Sequence, residues 1–265
     1  MQWLASLMGL PLAPALRDPG RWFLVPLFYL ALVATAELLA ALANPRPGMI
    51  LHCLLLLAML WHASWAARAE GRALLVCLAF APLIRIVSLW LSFPEFPLTY
   101  RYLAISLPLF AAVCVARRAL GYSWSTLGLN LHGLPRQTAV ALTGLLFGPL
   151  QYLILRPPPL SWAEAWPPAL ILLLSSGLLE ELIFRGLLLR ASVDRLGRWG
   201  LWYSSLLFAS LQLGQRSPAG FLFALWVGVF FAWLVLRTRS LLGVTLAHGL
   251  ANAITFLVMP LILGT

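Results

Sequence analysis

Ala219-Gly-Phe-Leu-Phe-Ala-Leu-Trp-Val-Gly-Val-Phe-Phe-Ala-Trp-Leu-Val-Leu236 holds no charged residue and is closed by Arg237. At a rise of ~1.5 Å per residue it would carry a helix across most of a ~30 Å hydrocarbon layer. Similar runs recur along the whole chain of 265 residues, which is 62% hydrophobic with 18 basic and 8 acidic side chains. A soluble domain is about a quarter charged, so this composition excludes one. The runs are continuously apolar instead of alternating, and backbone polar groups cannot go unpaired in lipid, which selects helices over a barrel. The expected fold is therefore all-α, a polytopic transmembrane bundle of about eight or nine membrane helices.

Working outward, apolar runs bounded by Arg, Pro or Gly fall at 22–43, 48–66, 73–92, 102–116, 137–155, 167–189, 200–213, 219–236 and 241–263. The runs at 102–116 and 200–213 are short. All 18 basic residues are Arg, scattered singly or in small groups between the runs, so they describe topology and not a nucleic-acid surface; no nucleic acid is expected as a partner. Counted over alternate connections, 12 Arg fall on one side and 4 on the other, with Arg85 and Arg185 inside runs. The richer side, which includes the N-terminus, is expected to be cytoplasmic. Met1 to Leu16 lacks a positive n-region and is expected to stay attached, lying at the interface. Cys53, Cys77 and Cys114 sit in three different runs without C-x-x-C spacing, which suggests neither disulfides nor a metal knuckle. The longest polar connections are 117–136 and the Pro-rich 156–168, and no internal repeat is seen. The lack of an inverted repeat argues against a transporter.

Ionisable groups inside membrane helices are costly and mark function by default. Glu37 and Arg85 lie in the first and third runs, where they could pair with each other or the Arg85 head could snorkel toward the interface. A denser group stands in Ser175-Ser-Gly-Leu-Leu-Glu180-Glu181-Leu-Ile-Phe-Arg185-Gly186. On a helix Glu181 and Arg185 are i, i+4 with the acid first, which favours an ion pair, while Glu180 points about 100° round the axis. One carboxylate is thus neutralised and the other left free. Dry surroundings and an adjacent negative charge suit Glu180 to take a proton from water. The alternative is a buried network that only ties helices together.

The last run carries a second polar pair, His248 and Asn252, again i, i+4. Glu180 precedes Arg190 by ten residues and His248 follows Arg239 by nine, so both should lie roughly 14 to 15 Å in from the cytoplasmic side. Gln212, in the short seventh run, would sit about 21 Å from Arg198 if that run were helical throughout. A shared polar chamber would explain the common level of the first two. The runs at 167–189, 200–213 and 241–263 are expected to pack around it, supported by 219–236.

Glu180-Glu181 with Arg185, then Phe208 with Gln212, then His248 with Asn252 resemble, in this order, the motifs of the CAAX protease and bacteriocin-processing family. That family, also called the abortive-infection family, comprises glutamic intramembrane endopeptidases and carries E-E-x-x-x-R, F-x-x-x-H and H-x-x-x-N/D on successive membrane helices. Phe184-Arg-Gly186, Arg237-Thr-Arg-Ser240 and Ala247-His-Gly-Leu-Ala-Asn252 also look like family text. The resemblance covers about residues 115–263. It divides the chain into N-terminal membrane helices of unassigned role (1–116) and a catalytic membrane core (117–265). It implies that Glu180 activates the attacking water, that Glu181 and Arg185 position it, and that His248 and Asn252 stabilise the oxyanion. The substrate would be a membrane-anchored protein or peptide within the lipid bilayer.

Where the family has its first histidine this chain has Gln212, which can accept a hydrogen bond from water but cannot take its proton. Two readings stay open: an active endopeptidase in which Glu180 suffices, and a silenced member acting as a membrane binding or immunity protein. No cofactor is expected, and a catalytic zinc is disfavoured because Glu180, Glu181, Gln212 and His248 offer one imidazole. An Arg-only, Ala/Leu/Trp-rich composition suggests a prokaryotic cell membrane.

Overall fold

A computed structural model describes residues 19–42, 45–66, 69–91, 98–157 and 166–263. The N-terminal stretch expected at the interface, and most of the 156–168 loop, lie outside the described residues. Among the described residues there is helix and no strand, as continuous apolar runs demand. Seven helical stretches among the described residues are long and apolar enough to cross a membrane: Phe23–Leu42, Pro45–Trp65, Gly71–Trp90, Tyr100–Ala119, Leu134–Leu155, Pro218–Thr238 and Leu242–Leu263. An eighth, over 166–196, is helical throughout but alternates between α and π turns. The ninth, Trp199–Ser210, has 12 residues. At ~1.5 Å each these cover about 18 Å, less than a hydrocarbon layer.

Several helices start earlier than their apolar runs, because proline sits in the first turn. Pro19, Pro45 and Pro218 each open a helix, and Pro135 is the second residue of another. The first-turn N–H groups have no intrahelical partner, so proline loses nothing there. A reading that cuts runs at proline therefore begins each of these helices late.

The chain divides into two compact units, one made of the residues up to Leu89 with Leu187–Arg237, the other of Trp90–Gly186 with Thr238–Thr265. In the first, the helices Pro19–Leu42 and Pro45–Trp65 meet at small residues: a Cβ on Gly48 would stand 2.5 Å from Ala40 Cβ and 2.7 Å from the Ala36 carbonyl oxygen. Lipid tails supply no hydrophobic drive between helices, so close backbone approach does the packing. Tyr203 ties the short helix Trp199–Ser210 to this pair by donating its hydroxyl to the Pro26 carbonyl at 3.0 Å.

The second unit is built around the last helix. Gly144 and Gly148, a small-x-x-x-small pair, bring Leu134–Leu155 against it: a Cβ on Gly144 would strike the Ala247 carbonyl oxygen, and one on Gly148 would lie 2.6 Å from Ile254 Cβ. On another side Gly177 approaches Thr245 and Gly249, while Gly249 approaches Leu173. The start of the helix is fixed by the 117–133 connection. Gly128, at φ +88, accepts from Leu241 N–H at 2.8 Å, and Asn130 Nδ2 donates to the Arg239 carbonyl at 2.7 Å. The Gln137 side chain accepts from Gly243 N–H at 2.9 Å.

These contacts set the last helix by backbone proximity, so a methyl group at Gly144 must displace it. Gly144→Ala is expected to destabilise the protein by about 1–3 kcal/mol, the usual cost of overpacking. Leu145→Ala, at the neighbouring exposed position, should change little. Thermal unfolding of the two variants in one detergent checks the difference.

Candidate active site

Glu180 and Glu181 sit on one short α segment, Leu179–Glu181, with π turns on either side at Leu173–Leu178 and Leu182–Leu188. Turns of this kind interrupt the i→i−4 ladder and often accompany functional positions. Ser175 and Ser176 donate their hydroxyls back to the carbonyls of Ile171 and Leu172, at 2.6 and 2.7 Å. Such back-bonding gives small polar groups a partner inside an apolar helix.

Glu181 is the centre of the site. Its side chain is fully buried, and Oε1 accepts from Arg185 Nη1 at 3.0 Å and lies 2.8 Å from His248 Nδ1. The expected i, i+4 ion pair is therefore present. An ionised carboxylate only accepts hydrogen bonds, so Nδ1 of His248 carries the proton in this contact. The same ring then turns Nε2 toward Glu180, whose Oε2 is 4.0 Å away. In the neutral imidazole that nitrogen is an acceptor; in the imidazolium it is a second donor.

Glu180 differs from its neighbour in exposure. Its side chain is 34% exposed, against 0% for Glu181. Glu181 is compensated by the Arg185 guanidinium, which leaves Glu180 as the carboxylate open to an incoming molecule. The arrangement can hold a water between Glu180 and the imidazole. It can also move a proton from that water to the carboxylate and offer an N–H to a developing negative charge.

Asn252 lies one turn beyond His248 and is buried. Its Nδ2 donates to Ser176 Oγ at 2.7 Å, and its Oδ1 accepts from Gln151 Nε2 at 3.3 Å. Thr255 Oγ1 in turn donates to the Gly148 carbonyl at 2.9 Å and lies 3.4 Å from Gln151 Oε1. One amide N–H of Asn252 is thus engaged by a neighbouring helix, and the second is left for another acceptor.

Five of the six sequence-derived site residues, Glu180, Glu181, Arg185, His248 and Asn252, come together in the unit containing Trp90–Gly186 and Thr238–Thr265. The common depth inferred for Glu180 and His248 agrees with this contact. Gln212 belongs to the other unit, just past the helix Trp199–Ser210, with its Oε1 accepting from Gln215 Nε2. Of the runs expected around one chamber, 200–213 and 219–236 likewise belong to that unit. Ser176 and Gln151 were not singled out from sequence, yet they hold Asn252. Their signal was available: Gln151 is an amide deep inside an apolar run, and Ser176 precedes Glu180 by one helical turn. Among the described residues, no group of three or more His, Cys, Asp or Glu side chains is arranged to hold a metal ion.

Residues 161–254, which contain this acidic pair and the His248–Asn252 helix, match the family model described as type II CAAX prenyl endopeptidase Rce1-like. No curated protein and no solved structure matches the chain.

Proposed function

Because residues 161–254 match the family model described as type II CAAX prenyl endopeptidase Rce1-like, we propose that this chain hydrolyses a peptide bond of a membrane-anchored protein or peptide by means of a glutamate-activated water. Glu180 takes one proton from the water as its oxygen attacks the carbonyl carbon, forming a C–O bond and a tetrahedral oxyanion. His248 Nε2, when protonated, donates to that oxyanion, together with the second N–H of Asn252. Collapse breaks the C–N bond, and the proton held by Glu180 passes to the leaving amine. Glu181 and Arg185 act through position: their ion pair holds the imidazole in one tautomer. Gln212 enters by its place in the order of the family motifs, as an acceptor that orients water. The catalytic core is read as 117–265, with 1–116 of unassigned role.

The observation that carries this reading is the His248 ring, bonded to an ion-paired Glu181 at 2.8 Å and facing the one-third-exposed Glu180 at 4.0 Å. A network that served only to join helices would leave no carboxylate exposed beside it. The Arg distribution supports a prokaryotic cell membrane with a cytoplasmic N-terminus. A second reading, a silenced member that binds without cutting, has Gln212 as its support, since an amide cannot take a proton.

Purified protein in detergent, incubated with a library of fluorogenic membrane peptides, separates the two. Cleavage by the wild type is expected. Gln212→His should then raise the rate on the order of tenfold or more, by adding a group able to relay a proton. An inactive wild type with an active Gln212→His variant would establish the silenced reading. Inactivity of both would remove the peptidase.

A further inference from the structure

A second cluster of ionisable side chains converges in the other unit, from three different membrane spans. Glu37 comes from Phe23–Leu42, His52 from Pro45–Trp65 and Arg85 from Gly71–Trp90. Glu37 and His52 are fully buried, while the Arg85 side chain is 24% exposed. Arg85 Nε donates to Glu37 Oε1 at 2.7 Å, its Nη2 is 2.6 Å from Oε2, and His52 Nε2 is 3.3 Å from Oε1. Of the two readings open for these charges, the structure has the pair: Glu37 and Arg85 form a two-toothed ion pair with a histidine at its back.

The pair also reaches beyond itself. Arg85 Nη2 donates to the carbonyl oxygen of Leu211 at 2.6 Å. Leu211 is the C-cap of the helix Trp199–Ser210, where carbonyls lack helical partners. Gln212 follows and opens the 3-10 turn Leu213–Gln215, which ends on Arg216 in the left-handed region at φ 54. Gly214, within that turn, lies against the pair: a Cβ there would stand 3.1 Å from Glu37 Oε2 and 3.6 Å from Arg85 Nη2. The turn itself is exposed from Gly214 to Arg216. An exposed turn at a helix end frays unless something anchors it, and here the anchor is a half-buried guanidinium held by a buried carboxylate.

We propose that Glu37, Arg85 and His52 are positioning residues that fix the Leu211–Gln215 turn and through it the side chain of Gln212. The proposal rests on the reading of Gln212 as part of the peptidase machinery. Glu37 holds the guanidinium by both oxygens, His52 closes the buried side of the carboxylate, and Arg85 Nη2 also donates to the main chain. A flexible carboxamide orients water only if its backbone is held, which is what this cluster supplies.

The test pairs hydrogen exchange with kinetics. The double variant Glu37→Met/Arg85→Met replaces the ion pair by apolar side chains of similar length, a change that buried pairs commonly tolerate in stability. Amide exchange in the peptide covering 211–216 should speed up about tenfold or more, while the rest of the protein keeps its wild-type pattern. In the peptide-cleavage assay kcat should fall about tenfold with KM within about twofold, and adding Gln212→Ala should cause little further loss, as expected for residues acting as one unit. Arg85→Lys should recover part of the rate. Should the double variant fail to fold, Gly214→Ala crowds the turn against Glu37 without removing a charge, and should move both readouts the same way. Unchanged exchange at 211–216 in a folded variant overturns the proposal, and so does faster exchange with an unaltered kcat. If the wild type cleaves nothing, the peptidase reading falls and with it the role through Gln212, while exchange alone still decides whether the cluster holds the turn.

Discussion

Glu180→Gln is expected to lower peptide cleavage by about 10²- to 10⁴-fold while leaving the protein folded, because it removes proton-accepting capacity and keeps the shape of the side chain. The structure supports this separation of activity from stability. Glu180 is one-third exposed and outside the Glu181–Arg185 ion pair, so neutralising it strands no buried charge. Substrate binding should be altered far less than kcat, since a neutral amide can still accept a hydrogen bond from bound water. Glu180→Asp offers a sharper comparison: the carboxylate is retained but withdrawn by one methylene, a displacement of about 1 Å that can cost on the order of 10²-fold in rate. The measurement is single-turnover cleavage with matched thermal unfolding curves. Full activity in Glu180→Gln would show that this carboxylate takes no proton from water, and the mechanism proposed for the site would be wrong.

Arg185→Met should have the opposite signature, a large loss of stability. Its guanidinium has 2% side-chain exposure and neutralises a Glu181 carboxylate with none. Breaking a buried pair by removing one partner leaves an uncompensated charge and typically costs about 3–5 kcal/mol. The double variant Glu181→Gln/Arg185→Met removes both charges together and should return most of that stability, because neither group is then stranded. It should not return activity, since the fixed contact of His248 with an ionised Glu181 is lost. Thermal or denaturant unfolding in a single detergent distinguishes these outcomes. A stable Arg185→Met single variant would mean that His248 alone compensates Glu181.

The two ion pairs show how far periodicity carries and where it stops. Glu181 and Arg185 are one helical turn apart, so their meeting at 3.0 Å follows from sequence spacing. Glu37 and Arg85 are separated by 48 residues. Their pairing could be expected because charges in lipid seek partners, but His52 as third member and the Leu211 carbonyl as fourth could not. His52 lies in an apolar run where either histidine, His52 or His62, has many possible neighbours. Spacing likewise placed His248 and Asn252 on one face but did not say that Ser176 and Gln151 would hold the asparagine amide. The Gly144-x-x-x-Gly148 pair was readable as a close-packing motif, while its target, Ala247 to Ile254, was not.

The sequence by itself determined the all-helical membrane architecture, because a chain this apolar can satisfy its backbone in lipid only by helices. It also determined the common level of Glu180 and His248, since a helix advances by a fixed rise from a charge that anchors at the interface. Only the tertiary structure decided that one imidazole lies between the ion-paired Glu181 and the open Glu180. That depends on exposure and on the side of the imidazole each oxygen meets, and these are set by glycine-mediated contacts between helices far apart in the chain. It decided as well that the Glu37–Arg85 ion pair reaches the turn bearing Gln212, a long-range donor–acceptor contact for which no local pattern of residues provides a signal.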